Sequence, residues 1–349
     1  MGLTHPRSLE DWRRWQAHRR RLQRVAHRAR RVGLPDPPPQ VVVTTGGPAP
    51  SVLVVLDSLS PSTQRAVLDP VRHLDPAAVA LVSPVPVRPL LPPGPWVERT
   101  GLPVPALDEL VTATTDVVSI GHFLPLGGRA YAAAARVGAR HLTVEHGLLT
   151  PHAPPLAPGT TVLAWSEADA DFWRSGRDDV EVVVLGSQLL WRAAEQVAAA
   201  PTGGARPVYL GQLHGAELAR GALAGAAEAF CLAEGAAYRP HPAETDRRSR
   251  ATHARLAGLG IHLDTSGTPL PALGAPVVGV FSTGILEAAA AGLPAHVAFP
   301  APPPWLEEFW DRYAMSPWGA EPTIAPPRPP VEPAAAIARL LRGGLGGRP

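Results

Sequence analysis

The sequence predicts an α/β protein of two halves, each a parallel sheet with helices on both faces. Short apolar runs bounded by Gly, Pro and Ser alternate with helix-like segments along most of the chain. The alternation starts again after the loop at 201–207, so we expect the two halves to join near residues 192–206. The length of 349 residues suits two domains.

A basic helix is predicted ahead of the first strand, over residues 8–32. Ser8 can cap it, apolar residues recur at steps of three and four, and Gly33 ends it. The chain has no lysine, and ten of its 32 arginines lie in the first 31 residues beside two acidic residues. This segment therefore carries +8, and the net charge of +2 leaves −6 for the remainder.

Three roles are open for this basic helix. It can lie on an anionic membrane surface, it can bind nucleic acid, or it can pack its Trp12 face on the body of the protein and leave the arginines in solvent. We favour the first and third roles over nucleic-acid binding. The predicted domains are thus a helix at 1–34, a first αβα domain at 35–195 and a second at 196–349.

The predicted elements of both domains follow from the apolar runs. In the first domain the strand-like runs lie within 40–47, 51–60, 78–83, 116–123, 140–147, 160–166 and 180–187. In the second domain they are 207–215, 236–242, 261–266, 276–283 and 294–299. Helices are expected at 189–200, 216–234, 244–259 and 284–292.

Four polar clusters follow predicted strands. They read EHG (145–147), GQLHG (211–215), RPHPAE (239–244) and FSTG (281–284). Ligands of open parallel sheets bind beyond the carboxyl ends of the strands. The clusters are divided between the halves, so they indicate a ligand cleft between two domains.

The FSTG cluster is typical of a phosphate site. Ser282 and Thr283 end a strand and Gly284 begins a helix, whose free N–H groups attract an anion. Glu287, one turn into that helix, can accept hydrogen bonds from ribose hydroxyls. The alternative is that the hydroxyls are only N-caps and Glu287 only complements the helix dipole.

His241 stands between Pro240 and Pro242, which restrict its backbone. A ring held in this way can donate a hydrogen bond or a positive charge to a departing nucleotide phosphate. Arg239 and a helix starting near Glu244 also favour an anion there. The alternative is a turn with a solvated histidine.

His146 is the candidate general base of the first half, since a histidine accepts a proton near neutral pH. Glu145 can orient it or act as the base itself, and the alternative is a solvent-facing pair at a strand end. In the second half, Gly211 permits close backbone approach, and Gln212 can touch the donor or the acceptor. A plain tight turn explains those two residues equally well.

Several classes of protein are disfavoured. There is no Walker A loop, no GxGxxG, no HExxH and no cysteine pair, so we expect no catalytic metal and no cofactor apart from a co-substrate. No apolar run is long enough to span a bilayer, and the N-terminus lacks the apolar core of a secretory signal. The single cysteine, Cys231, is expected to be buried and inert, and we expect a cytoplasmic protein.

With these clusters in place, the chain resembles GT-B glycosyltransferases, in which two Rossmann-like αβα domains face a central cleft. RPHP together with FSTG resembles the HP and S/T motifs of bacterial sialyltransferases and polysialyltransferases, and LGQ (210–212) resembles a strand-turn of that group. EHG departs from their acidic-acidic-Gly motif. It instead resembles the His-Gly of CDP-glycerol glycerophosphotransferases.

The resemblance implies a metal-independent transferase that moves a sugar, sialic-acid-like in one version, from a nucleotide-activated donor to a hydroxyl of a surface polysaccharide. His146 would deprotonate the acceptor and His241 would stabilise the nucleotide phosphate, which Ser282 and Thr283 would hold. The enzyme would be cytoplasmic or peripheral at the inner membrane face. The alternatives are a CDP-glycerol-type glycerophosphotransferase and a non-catalytic nucleotide-sugar-binding protein.

Overall fold

The computed structural model describes residues 2–19, 40–196 and 205–343. Within these ranges the chain forms two compact units, which are described separately. The N-terminal unit takes its residues from 2–147, 152–189 and 329–349, and the C-terminal unit from 148–151 and 190–328. The domain limits given above stay a prediction.

The N-terminal unit is built on an eight-stranded sheet. Its strands are β1 Gln40–Thr45, β2 Val52–Val55, β3 Val79–Ser83, β4 Val97–Pro103, β5 Asp116–Ser119, β6 Arg140–Val144, β7 Thr161–Ala164 and β8 Glu181–Val184. Their order across the sheet is β4-β1-β3-β2-β5-β6-β7-β8. The six strands from β3 to β8 in this order run parallel, as expected.

One edge of this sheet differs from the expectation of parallel strands. β1 pairs antiparallel with both β3 and β4. The sequence does not predict β4, because most of its residues are exposed and it lacks the alternation of buried and exposed side chains that marks a strand.

The described ranges also contain α-helices, which alternate with most of the strands along the chain. They are α1 Leu9–Arg19, α2 Pro61–Thr63, α3 Ala106–Thr112, α4 Pro125–Val137, α5 Glu167–Arg174, α6 Gln188–Glu195, α7 Arg220–Glu234, α8 Arg247–Gly258, α9 Thr283–Ala290, α10 Pro304–Arg312 and α11 Pro333–Gly343. α11 lies within residues 196–349, the range predicted for the second domain. Its apolar side chains pack in a core of the N-terminal unit instead.

The C-terminal unit has a four-stranded, fully parallel sheet. Its strands are β9 Val208–Leu210, β10 Ala237–Arg239, β11 Val277–Gly279 and β12 Ala295–Val297, in the order β10-β9-β11-β12. One continuous apolar core surrounds it and includes Cys231, which is 2% exposed. The prediction of a buried cysteine is confirmed, and burial raises the pKa of its thiol to about 12.

The predicted strand at 261–266 is wrong. Only Leu263 forms a bridge, with Tyr238 of β10. The backbone makes two hydrogen bonds to Tyr238, and then the Asp264 carboxylate accepts from the N–H of Ser266 at 3.1 Å and the chain turns away.

Two predicted helix starts also move. The helix predicted from residue 216 begins at Arg220, and that predicted from 244 begins at Arg247, because Asp246 caps it. Of the helix predicted at 189–200, the structure gives Gln188–Glu195, and the last four residues lie outside the described ranges.

The N-terminal helix is described only over Leu9–Arg19, and residues 20–32 of the prediction lie outside the described ranges. Trp12 is 6% exposed, and its indole N–H donates to the carbonyl of His152 at 2.8 Å. Trp15 stacks on the same histidine with ring centroids 4.7 Å apart. In its described part, the helix thus packs its tryptophans on the N-terminal unit.

Candidate functional site

The order of strands in the C-terminal unit creates a switch point between β9 and β11. From β9 the chain moves outward to β10 on one side, and from β11 it moves to β12 on the other. The loops that follow β9 and β11 therefore diverge and leave an opening at the carboxyl edge, where open α/β sheets bind ligands. The predicted GQLHG and FSTG clusters are these two loops.

Gln212 joins the two loops at this switch point. Its side-chain Oε1 accepts hydrogen bonds from the N–H groups of Val280 and Phe281, at 3.1 and 3.0 Å. The residue is 8% exposed. Sequence reasoning singled out Gln212 for a ligand contact but did not foresee that it binds the backbone after β11.

Ser282 is the N-cap of α9. Its Oγ accepts from the N–H of Gly284 at 3.1 Å, which is the capping alternative stated for the FSTG cluster. The hydroxyl still has its own hydrogen to donate, so capping and phosphate binding are compatible. Thr283 Oγ1 accepts from the N–H of Leu148 at 3.2 Å, and Glu287 is half-buried one turn further.

At two glycines of this edge, an added Cβ would be crowded. A Cβ at Gly284 would meet Leu210 Cδ1 at 2.7 Å. A Cβ at Gly211 would meet the Tyr238 hydroxyl at 2.5 Å and Glu244 Oε1 at 2.7 Å. The backbone thus approaches its neighbours closely directly after β9, as predicted for Gly211, and in the first turn of α9.

His241 stacks on His214, with ring centroids 3.8 Å apart and planes 18° apart. The N–H of Ala243 donates to His241 Nδ1 at 3.1 Å, so the neutral ring carries its proton on Nε2. Although His241 is exposed, desolvation by the surrounding protein lowers its pKa, while the charge of Glu244 acts in the opposite direction. At neutral pH the ring is thus a neutral hydrogen-bond donor.

The two other groups expected to attract an anion near His241 have partners within the protein. The guanidinium of Arg239 pairs with Asp264 at 3.1 Å and also donates to the carbonyl of Thr268. α8 starts at Arg247, and the carboxylate of its cap, Asp246, accepts from the backbone there. Neither group supplies an uncompensated positive charge to a ligand.

His146 and Glu145 follow β6 in the N-terminal unit. Glu145 is 2% exposed and its Oε2 accepts from the N–H of Trp165 at 2.9 Å. The ring of His146 bonds the carbonyl of Val144, and desolvation lowers its pKa to about 4. At neutral pH His146 is therefore neutral and can accept a proton, although it is a weaker base than an ordinary histidine.

The N-terminal unit has its own switch point, between β2 and β5, and the side chain of Asp57, in the loop after β2, lies there. Its two carboxylate oxygens accept from the N–H groups of Leu126 and Gly127 at the start of α4, at 2.8 and 2.9 Å. Desolvation raises the pKa of this carboxyl, against the effect of the two hydrogen bonds. Sequence reasoning missed Asp57, although an aspartate directly after a buried strand was a usable signal.

The described ranges lack two features, a metal cluster and a membrane-spanning helix. There, no three His, Cys, Asp or Glu side chains are grouped so that they can share a metal ion. Of the helices that the structure describes, none has the length and apolar character that crossing a bilayer requires.

Comparison by sequence finds no matching family model and no matching curated protein. By structure, the chain is similar to UDP-GlcNAc 2-epimerase from Methanocaldococcus jannaschii in complex with UDP-GlcNAc and UDP. The TM-score is 0.50 at 11% identity, over 84% of this chain and 99% of that one. This likeness is one of fold.

Two further likenesses are weaker and carry no argument. A second structure of the same epimerase gives a TM-score of 0.47 at 10% identity, over 84% of this chain and 99% of that one. A glycosyltransferase from Rickettsia africae gives 0.45 at 13% identity, over 85% and 89%. The predicted fold class, α/β of GT-B type with two Rossmann-like domains behind an N-terminal helix, is confirmed.

Proposed function

We propose that this protein is a GT-B-type glycosyltransferase that binds the phosphates of a nucleotide-activated sugar in its C-terminal unit. The observation that carries the proposal is the switch point between β9 and β11, where Gln212, the N-terminus of α9 and the loop of His214 lie at one sheet edge. The fold likeness to an enzyme solved with UDP-GlcNAc and UDP supports a nucleotide sugar as the ligand.

A difference between the two switch points supports a phosphate site in the C-terminal unit rather than in the N-terminal unit. In the N-terminal unit the anion position at the start of α4 holds the carboxylate of Asp57. In the C-terminal unit the corresponding helix, α9, is capped by the neutral hydroxyl of Ser282. A phosphate is attracted to a helix start that lacks a negative side chain and repelled from one that has it.

His241 is proposed to donate a hydrogen bond from Nε2 to the nucleotide phosphate. Its Nδ1 accepts from Ala243, which fixes this tautomer, and its lowered pKa keeps the ring neutral at pH 7. The hydrogen bond strengthens as negative charge develops on the departing nucleotide. Of the two roles open from the sequence, a hydrogen bond is therefore favoured over a positive charge.

His146 is proposed as the base that accepts the proton of the acceptor hydroxyl, on a surface polysaccharide or related glycan. It is neutral at pH 7, whereas Glu145 uses a carboxylate oxygen to hold the backbone of Trp165. Glu145 is therefore assigned the role of orienting His146.

An anionic membrane surface remains a proposed partner of residues 8–32. The arginines of this segment would make the contact, because Trp12 and Trp15 pack on the N-terminal unit.

The first test is a thermal-shift and calorimetry panel of CMP, CDP, UDP, GDP and dTDP, with and without magnesium. A ligand at 100 times its Kd adds about 2.7 kcal/mol to the unfolding free energy, which raises Tm measurably. CMP would favour a sialyl-type donor, CDP the glycerophosphotransferase alternative and UDP a more general glycosyltransferase. If none of these nucleotides raises Tm or binds, the proposed function is refuted.

The second test follows turnover in two variants of His241. Alanine removes the donor, and we expect a loss of about 10²–10³-fold in kcat. Glutamine keeps an N–H donor of similar reach and should restore part of that loss. A turnover within a few-fold of wild type for the alanine variant would contradict the assigned role.

A further inference from the structure

A buried carboxylate lies beneath the loops that carry His214 and His241. The side chain of Glu244 is 0% exposed. Its Oε1 accepts from the N–H of Leu213 at 2.9 Å, and its Oε2 accepts from the hydroxyl of Tyr238 at 2.9 Å. His253 Nε2 lies 2.8 Å from the same Oε2.

The three partners come from three different elements. Leu213 belongs to the loop after β9, Tyr238 to β10 and His253 to α8. Burying a carboxylate is costly unless its oxygens are hydrogen-bonded, and the cost of removing one member of such a network exceeds that of an exposed pair. Glu244 therefore fixes these elements to one another.

The backbone of Glu244 makes a further bond beside the stacked rings. Its N–H donates to the carbonyl of His241 at 2.8 Å and closes the turn in which Ala243 donates to His241 Nδ1. Its side chain holds Leu213, the residue directly before His214. A single residue thus bonds the chain next to both rings of the stack.

We propose that Glu244 is the positioning residue of this site: it holds the His214 loop against the His241 turn and so fixes the direction of the His241 Nε2–H group. That Glu244 fixes the position of the His241 ring can be tested without a ligand. That the ring donates to a phosphate rests on the proposed function. The close approach at Gly211 fits this role, because a Cβ there would collide with Glu244 Oε1 and the Tyr238 hydroxyl.

The groups that face His241 allow a direct spectroscopic test. Its ring packs on His214, and Glu244 is the charged group that raises its pKa against desolvation. Glu244→Gln keeps the shape and one carbonyl oxygen but removes the charge. We therefore expect the pKa of His241 to fall in this variant, and the ring-current shifts of the stacked imidazoles to change.

The experiment is an NMR titration of the histidine ring signals in the ligand-free full chain, for wild type, Glu244→Gln and Glu244→Ala. The matched control is Tyr209→Phe, which removes a buried hydroxyl that bonds the Ala298 carbonyl in the same core. The control should lose less stability than Glu244→Ala and leave the signals of His214 and His241 in place. Circular dichroism and Tm identify any variant that fails to fold. If Glu244→Ala does not fold, the comparison of wild type with Glu244→Gln is enough for the test.

Kinetics provides a second readout. Misplacement of a catalytic group by about 1 Å costs on the order of 10²-fold in rate, so Glu244→Ala should lower kcat by that amount with a smaller change in KM. Glu244→Gln should recover part of it. Tyr209→Phe should retain kcat.

The outcomes separate the two proposals. If wild type binds a nucleotide but Glu244→Gln leaves both ring signals and the His241 pKa unchanged, the positioning role is overturned and the proposed function stands. If Glu244→Gln moves the ring signals but no nucleotide binds wild type, the positioning role stands and the proposed function fails. Equal shifts in Tyr209→Phe and Glu244→Gln would also overturn the positioning role.

Discussion

Replacing Gln212 tests structure and ligand binding separately, because glutamate and leucine change different properties of the same buried side chain. Gln212 Oε1 accepts from the N–H groups of Val280 and Phe281. Leucine removes the acceptor and leaves two N–H groups without it. Each unsatisfied buried group costs about 1–3 kcal/mol, so Gln212→Leu should lower the unfolding free energy by about 2–6 kcal/mol.

Glutamate has the opposite profile. Its carboxylate accepts the same two N–H groups, and hydrogen bonds to a charged acceptor are stronger than neutral ones. The cost of burying this charge opposes that gain, so Gln212→Glu should lose less stability than Gln212→Leu. A phosphate about 5 Å from the new charge is repelled by about 3 kcal/mol at an effective dielectric constant of about 20, which is about 10²-fold in affinity.

The assay pairs differential scanning calorimetry with isothermal titration of the nucleotide that gives the largest shift in the wild-type panel. We expect Gln212→Leu to lose several degrees of Tm. Gln212→Glu should lose fewer degrees of Tm but also lose nucleotide affinity, and this loss of affinity should be smaller at high salt. If Gln212→Glu bound the nucleotide as wild type does, the phosphate would not lie at this switch point. If Gln212→Leu kept its Tm, the two hydrogen bonds would not matter for stability.

Four further predictions concern the N-terminal unit. Asp57→Asn should lower the unfolding free energy by about 1–3 kcal/mol in denaturant titrations and leave nucleotide affinity unchanged. Weakened nucleotide binding would instead indicate that the phosphate binds in the N-terminal unit. Acidification should destabilise the protein, because burial lowers the pKa of His122 to about 4 and that of His141 to about 3. The unfolded chain then binds protons that the folded chain does not, which costs about 2 kcal/mol per histidine at pH 5; a flat stability between pH 7 and pH 5 would contradict this. Trp12→Ala should release α1, seen as faster amide exchange over residues 9–19 with unchanged nucleotide affinity, and unchanged exchange would argue against the packing described. His146→Gln should lower kcat at least about 10²-fold without weakening nucleotide binding, and a turnover within a few-fold of wild type would remove His146 as the base.

The parallel sheets and the edge at which polar residues collect were predictable from sequence. Runs such as 116–120 and 276–283 are short, apolar and followed by polar residues, which is the pattern of a buried parallel strand. β4 was not predictable, because its residues are mostly exposed. The strand predicted at 261–266 does not form, although the run contains apolar and β-branched residues. Its residues make only one bridge before the chain turns at Asp264.

The roles of the site residues were less predictable, because sequence does not reveal which polar groups already have partners within the protein. The carboxylate of Asp57 accepts from N–H groups about 70 residues further along the chain, at Leu126 and Gly127. Arg239 resembles an anion ligand in the sequence but pairs with Asp264 in the fold. The sequence places Glu244 only near a helix start. Its burial beneath the histidine loops was not predictable, because the partners of its carboxylate come from three separate elements.

The most direct test of the nucleotide site is a titration of the isotope-labelled full chain with UDP, CMP and CDP, followed by amide and imidazole NMR signals. We expect one nucleotide to shift the amide signal of Gly284 and the ring signal of His241, while the amides of Leu126 and Gly127, which Asp57 binds, stay unchanged. Shifts confined to Leu126 and Gly127, or no shift of Gly284 and His241 with any nucleotide, would contradict a phosphate site in the C-terminal unit.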